Sequence, residues 1–138
     1  VIYLDTAAAV KLVRQEAHTA DLVAWLNEPQ QAGLPWVSSA LIEVELPRAL
    51  RRSAPEALPG VPSVLARLYR LEIDDTIRQT AAAYPTPALR SLDAIHLATA
   101  QTLAEQPDAH FAAFVTYDHR LAEAARSAGL AVARPGVD

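Results

Sequence analysis

The 138 residues carry 12 Lys and Arg against 16 Asp and Glu, a formal charge of −4, and 51% of them are hydrophobic. That is enough chain for one domain with a sizeable core, and too apolar a composition for a disordered segment. The acidic balance is not the footprint of a general nucleic-acid binder. The lack of Cys excludes a disulfide scaffold or a thiolate metal site, and no apolar run reaches the roughly 18 residues of a membrane span.

Val1–Leu4 is short, apolar and β-prone, with no basic stretch ahead of it; no secretory leader is expected and a cytoplasmic location follows by default. Thr6–Glu16 and His18–Asn27 run at helical spacing, the second ending before Pro29. Pro35–Ser38 is a second short strand, followed by a helix from about Ala40 to Arg52, in which Pro47 should kink or restart the turn. Residues 53–62, SAPEALPGVP, read as a loop. Helical spacing resumes over Ser63–Arg70, Leu71–Ile73 suits a strand, and Asp74 or Asp75 caps a helix to about Tyr84 that Pro85 and Pro87 break. Further helices span about Ser91–Glu105 and Asp118–Ala128, the latter closed by Gly129. Strands are expected at Phe111–Tyr117 and Leu130–Ala133. Short β-prone runs alternating with helices indicate a single α/β domain over residues 1–138, with a parallel sheet covered on both faces.

In such a sheet, sites form beyond the C-terminal ends of the strands. Asp5 directly follows the first strand, and Asp118 follows the clearest one. Glu45 lies in the helix after the second strand, and Asp93 lies in the first turn of the helix before the strand at 111–117. Asp5 and Asp118 also suit helix N-caps, and Asp93 suits the positive end of a helix dipole. Glu45 sits mid-helix, where neither reason applies, although an exposed position would also accommodate it. Four converging carboxylates repel one another unless a hard divalent cation joins them, which points to Mg²⁺ or Mn²⁺. Such an ion lowers the pKa of a water, clamps a phosphodiester oxygen, and supplies local positive potential to an acidic protein approaching a polyanion.

The stretches LDT at 4–6, ALIEVELPRAL at 40–50, RSLDAIHLATA at 90–100 and FVTYDHRLAEAARSAGL at 114–130 together resemble a PIN-domain ribonuclease. More narrowly, they resemble the VapC toxins of bacterial VapBC toxin–antitoxin pairs. The resemblance covers nearly the whole chain and implies a three-layer α/β/α sandwich and a Mg²⁺- or Mn²⁺-dependent endoribonuclease. It implies Asp5, Glu45, Asp93 and Asp118 as metal ligands and catalytic acids, and a VapB-type antitoxin, an RNA substrate and a homodimer as partners. Two positions depart from it: Ala7 stands where many relatives have Ser, leaving Thr6 as the nearby hydroxyl, and Pro47 stands where an aliphatic residue is usual.

Thr116 is a candidate to hydrogen-bond a ligand carboxylate or a metal-bound water. His96, three residues after Asp93, could share its face but reads as a packed or hydrogen-bonded structural histidine, and His119 as exposed. Arg48, Arg51 and Arg52 share a helix flank, either a solvated face or one that meets RNA phosphates or antitoxin carboxylates. Trp25 and Trp36 read as core or interface anchors. Two other readings stay open. An aspartate-dependent phosphatase would want a second acid two residues after Asp5, where Ala7 stands. A catalytically silent binding module would have no need of all four acids.

Overall fold

The computed structural model describes residues 1–138. Strand β1 (Ile2–Leu4) leads to helices α1 (Thr6–Val13) and α2 (Thr19–Leu26), then to β2 (Trp36–Ser39) and α3 (Ile42–Ser53). A 3₁₀ segment (Pro55–Gly60) and α4 (Val61–Arg67) precede β3 (Leu68–Leu71) and α5 (Asp75–Ala83). The chain closes with α6 (Ser91–Ala104), β4 (Ala113–Val115), α7 (His119–Ser127) and β5 (Val132–Ala133). The five strands form one sheet in the order β3-β2-β1-β4-β5, every neighbouring pair parallel.

Parallel strands need crossovers, and the crossover helices cover both faces, so the central strands are apolar throughout. Every residue of β1 and β4 is buried, whereas the edge strand β3 buries only Leu68. Side chains alternate across the pleat and feed two cores. Ile2, Leu4 and Val115 pack with Ala9 of α1, Leu46 and Leu50 of α3 and Val61 of α4. Tyr3, Val37 and Phe114 face the other way, onto Leu97 and Ala100 of α6 and Leu121 and Ala125 of α7. The result is the three-layer α/β/α sandwich. Trp25 and Trp36 are half-buried against the first of these cores. No helix is long and apolar enough to cross a membrane.

Several boundaries differ from the sequence expectation. The proline-rich stretch 53–62 is not a loop: Ser53 ends α3, Pro55–Gly60 is a 3₁₀ segment, and Pro62 sits at the second position of α4, where its missing N–H costs nothing. The third strand begins at Leu68, inside the expected helix, because Leu68–Leu71 pairs residue for residue with Trp36–Ser39. The strand expected over 111–117 keeps only Ala113–Val115, the residues that find partners in β1. Helix α3 neither stops nor restarts at Pro47. Gly129 closes α7 as expected: its φ is +86°, and Leu130 and Gly129 donate to the carbonyls of Ala125 and Arg126, the paired bonds of a Schellman turn.

The connectivity determines where a site can form. From β1 the chain first builds outward through β2 to β3, then returns to lay β4 and β5 on the other side. The order therefore reverses between β1 and β4, and the crevice beyond their C-terminal ends is the topological switch point.

Candidate active site

Asp5 leaves β1 at that crevice and is buried, 4% exposed. Its extended backbone makes it the N-cap of α1, with Oδ1 accepting from the Ala8 amide at 2.9 Å. Its Oδ2 accepts from the Thr116 hydroxyl at 2.5 Å. Thr116, just past β4, also accepts from the Asp118 amide at 3.1 Å, which ties the two strand ends together. Asp118 is exposed and caps α7, with Oδ1 accepting from Leu121 at 2.9 Å. Both aspartates thus serve as caps, and the Oδ2 of Asp118 is left without a protein partner.

Glu45 lies in the first turn of α3, not mid-helix as the sequence suggested, because the helix starts only at Ile42; it is held differently. Its Oε1 accepts from the Thr6 hydroxyl at 2.6 Å and lies 2.7 Å from Nε2 of His96. His96 is 2% exposed, and its Nδ1 lies 2.8 Å from the Tyr3 hydroxyl. Asp93, half-buried, sits at the third position of α6, where the unpaired amides of the helix N-terminus favour an anion.

The acids act on one another. Burial pushes the Asp5 carboxyl up to about 6, against the Thr116 and Ala8 hydrogen bonds, and the Asp93 charge adds to the rise. Asp93 is also raised, by burial first and then by the charges of Asp118 and Glu45, with His96 and Arg90 opposing. Burial would raise Glu45 too, but the hydrogen bonds from His96 and Thr6 outweigh it and hold the carboxyl below its ordinary value. Asp93 is thus raised by Asp118 and Glu45 and in turn adds to the rise of Asp5. The donors are all carboxylate oxygens, and neighbouring carboxylates disfavour the ionised forms of Asp5 and Asp93, a penalty that a hard divalent cation would offset. No three His, Asp or Glu side chains stand close enough together to hold an ion as they are.

Clefts open on either side of the acids. One, about 300 Å³, is lined by Arg90, Asp93, Asp118, His119 and Arg120. The other, about 330 Å³, is lined by Thr6, Val44, Glu45, Arg48, Arg52 and Leu92, with Arg51 outside it. His119 is exposed and lies 3.5 Å from Glu123. A further cavity, about 460 Å³ between α6, α7 and residues 84–89, contains none of the four acids. The sequence assigns no role to Tyr3, while the expected packed or hydrogen-bonded His96 is both buried and hydrogen-bonded. The only signal for their link to Glu45 was a polar residue among apolar ones, in strand β1 and in helix α6.

An all-parallel sheet with aspartates just past the two strands that flank its switch point defines a recognisable class of fold and site. Residues 2–127 match the PIN domain. Ribonuclease VapC35 of Mycobacterium tuberculosis is 60% identical over 136 residues, covering 99% of this chain and 98% of that protein. Ribonuclease VapC46 and Ribonuclease VapC47 of the same species are 38% and 36% identical, each covering at least 97% of both chains. The chain belongs to the PIN-domain family, in its VapC branch.

Proposed function

We propose that this protein is a toxin of the VapBC kind, an endoribonuclease whose Mg²⁺ or Mn²⁺ is held by Asp5, Glu45, Asp93 and Asp118. The observation that carries this reading is the placement of the acids at the switch point between β1 and β4: Thr116 bonds both Asp5 and the Asp118 amide, Thr6 beside Asp5 bonds Glu45, and Asp93 lines one cleft with Asp118. When bound, such an ion would lower the pKa of a water and offset charge on a phosphodiester oxygen. The protein's own part is positioning. Asp5 is pinned by the Ala8 amide and Thr116 and is the rigid member. Asp93 and Asp118, on helix N-termini, face the cleft that also carries Arg90 and Arg120. Those two cations suit the phosphates that flank a cut in a single strand.

A VapB-type antitoxin is the expected protein partner. The cleft beside Glu45 combines apolar Val44 and Leu92, both exposed, with Arg48 and Arg52, a lining suited to an amphipathic acidic segment. The expected assembly is a homodimer in the bacterial cytoplasm. Light scattering at micromolar concentration tests the assembly: a dimer mass is predicted, and a strictly monomeric protein contradicts it.

The catalytic reading is tested on total RNA with Mn²⁺ or EDTA, with mapping of the cut ends. Cleavage is expected with Mn²⁺ only, and Asp5→Asn should lose it while keeping its fold. An Asp5→Asn protein that cuts at the wild-type rate removes Asp5 from the mechanism.

A further inference from the structure

Glu45 differs from the other three acids in how its oxygens are used. Both of its hydrogen bonds fall on Oε1, from Thr6 at 2.6 Å and at 2.7 Å from His96; Oε2 has no protein partner. Behind it lies a buried polar chain crossing three elements: Tyr3 of β1, His96 of α6 and Glu45 of α3. We infer that Tyr3 and His96 form a buried positioning pair, which anchors Glu45 through Oε1 and leaves Oε2 as the oxygen offered to the site. This rests on the reading of Glu45 as a metal ligand.

The direction of the bond to Glu45 follows from chemistry: an ionised carboxylate only accepts, so Nε2 of His96 must carry a hydrogen. The buried phenol of Tyr3 lies against Nδ1, so each ring nitrogen has its own partner. The ring cannot turn away, because it meets the Tyr3 ring edge-on at 5.9 Å, and Tyr3 is itself stacked on Phe114 at 5.1 Å. A histidine placed only to fill the core would need no carboxylate partner; here the partner is one of the four acids. The Thr6 hydroxyl, 3.3 Å from Nε2, closes a small ring of polar atoms around Oε1. The division of labour resembles that of Asp118, whose Oδ1 is bound to an amide while its Oδ2 is free.

Amide variants separate the two ends of the pair. In His96→Gln the side-chain nitrogen reaches the Nε2 position and still donates to Glu45. In His96→Asn it reaches only the Nδ1 position, so the Tyr3 link is kept and Glu45 is released. Mn²⁺ affinity measured by calorimetry should fall about tenfold or more in His96→Asn, the usual loss when a ligand's supporting bond is removed. It should stay within about threefold of wild type in His96→Gln. Equal losses in both variants, or wild-type affinity in His96→Asn, overturn the pairing. Glu45→Gln serves as the control. If it binds Mn²⁺ like wild type, the metal-ligand reading of Glu45 fails. If it binds weakly while His96→Asn does not, the positioning role alone fails. Nitrogen NMR of histidine-labelled metal-free protein gives an answer even where a variant misfolds: His96 should carry a proton on Nε2, and a bare Nε2 contradicts the inference. Tyr3→Phe keeps the ring stack and removes only the hydroxyl beside Nδ1. It should shift the His96 Nδ1 resonance, and an unmoved resonance also counts against the pair.

Discussion

Asp5 serves two ends with its two oxygens, and the conflict between them appears as stability. As a cap it supports α1; as a buried charge it costs the fold, which is why its carboxyl is pushed up to about 6 from 3.8. A folded value above the unfolded one means that the penalty is full at neutral pH and is relieved as pH falls through about 6. Asp93 shifts in the same direction, whereas Glu45 is lowered, so its stabilisation is lost only on further acidification, below the usual carboxylate range. In EDTA the protein should therefore melt higher near about pH 5.5 than near about pH 7.5, by the relief of Asp5 and Asp93. Asp5→Asn keeps a good capping residue and removes the charge. It should stabilise the metal-free protein at neutral pH by on the order of 1–3 kcal/mol and flatten that pH slope. A variant that melts below wild type in EDTA would mean that the cap outweighs the buried charge. Asp5, Asp93 and Asp118 are legible as candidates from the chain alone, since each follows a strand or opens a helix. The ring around Glu45 is not, because Thr6 and His96 lie 39 and 51 residues away from it and leave no periodic trace.

At the scale of elements, α3 is the part under tension. Pro47 is its sixth residue, beyond the first turn where proline is tolerated, so the Glu43 carbonyl loses its intrahelical partner. The helix continues because Ile42, Leu46 and Leu50 are fully buried against β1 and α1, and tertiary packing overrides the local break. Pro47→Ala restores the missing donor at a half-buried position. It should raise stability by about 1 kcal/mol, the helical gain being offset in part by a freer unfolded chain. Urea unfolding checks this, and a loss of stability would show that the ring's own contacts matter more than the bond. Element type is legible in this sequence wherever periodicity is strong, as in α6 and α7. Element ends are not: the strands are only two to four residues long, and pairing with a neighbour, which no local pattern encodes, decides where they start. Leu68–Leu71 shows this most plainly, since its own pattern continues a helix and its partners in β2 make it a strand.

For the molecule as a whole, the account turns on whether four carboxylates from four separate segments act as one cation site. Thermal melts of wild type and Asp93→Asn, each in EDTA and in Mn²⁺, test this directly, because Asp93 lines a cleft with Asp118 and its charge adds to the rise of Asp5. In EDTA the variant should melt above wild type, since removing one charge relieves the repulsion, by on the order of 0.5–2 kcal/mol. For a domain of this size that is roughly 1–8 °C. At about 100 times its dissociation constant, Mn²⁺ should add roughly 2.7 kcal/mol to wild type and little to the variant. An Asp that merely favours a helix N-terminus predicts the opposite sign, because neutralising it costs stability. If Asp93→Asn melts lower than wild type in EDTA and Mn²⁺ raises both proteins equally, Asp93 is a helix-dipole residue and the four acids are not one site.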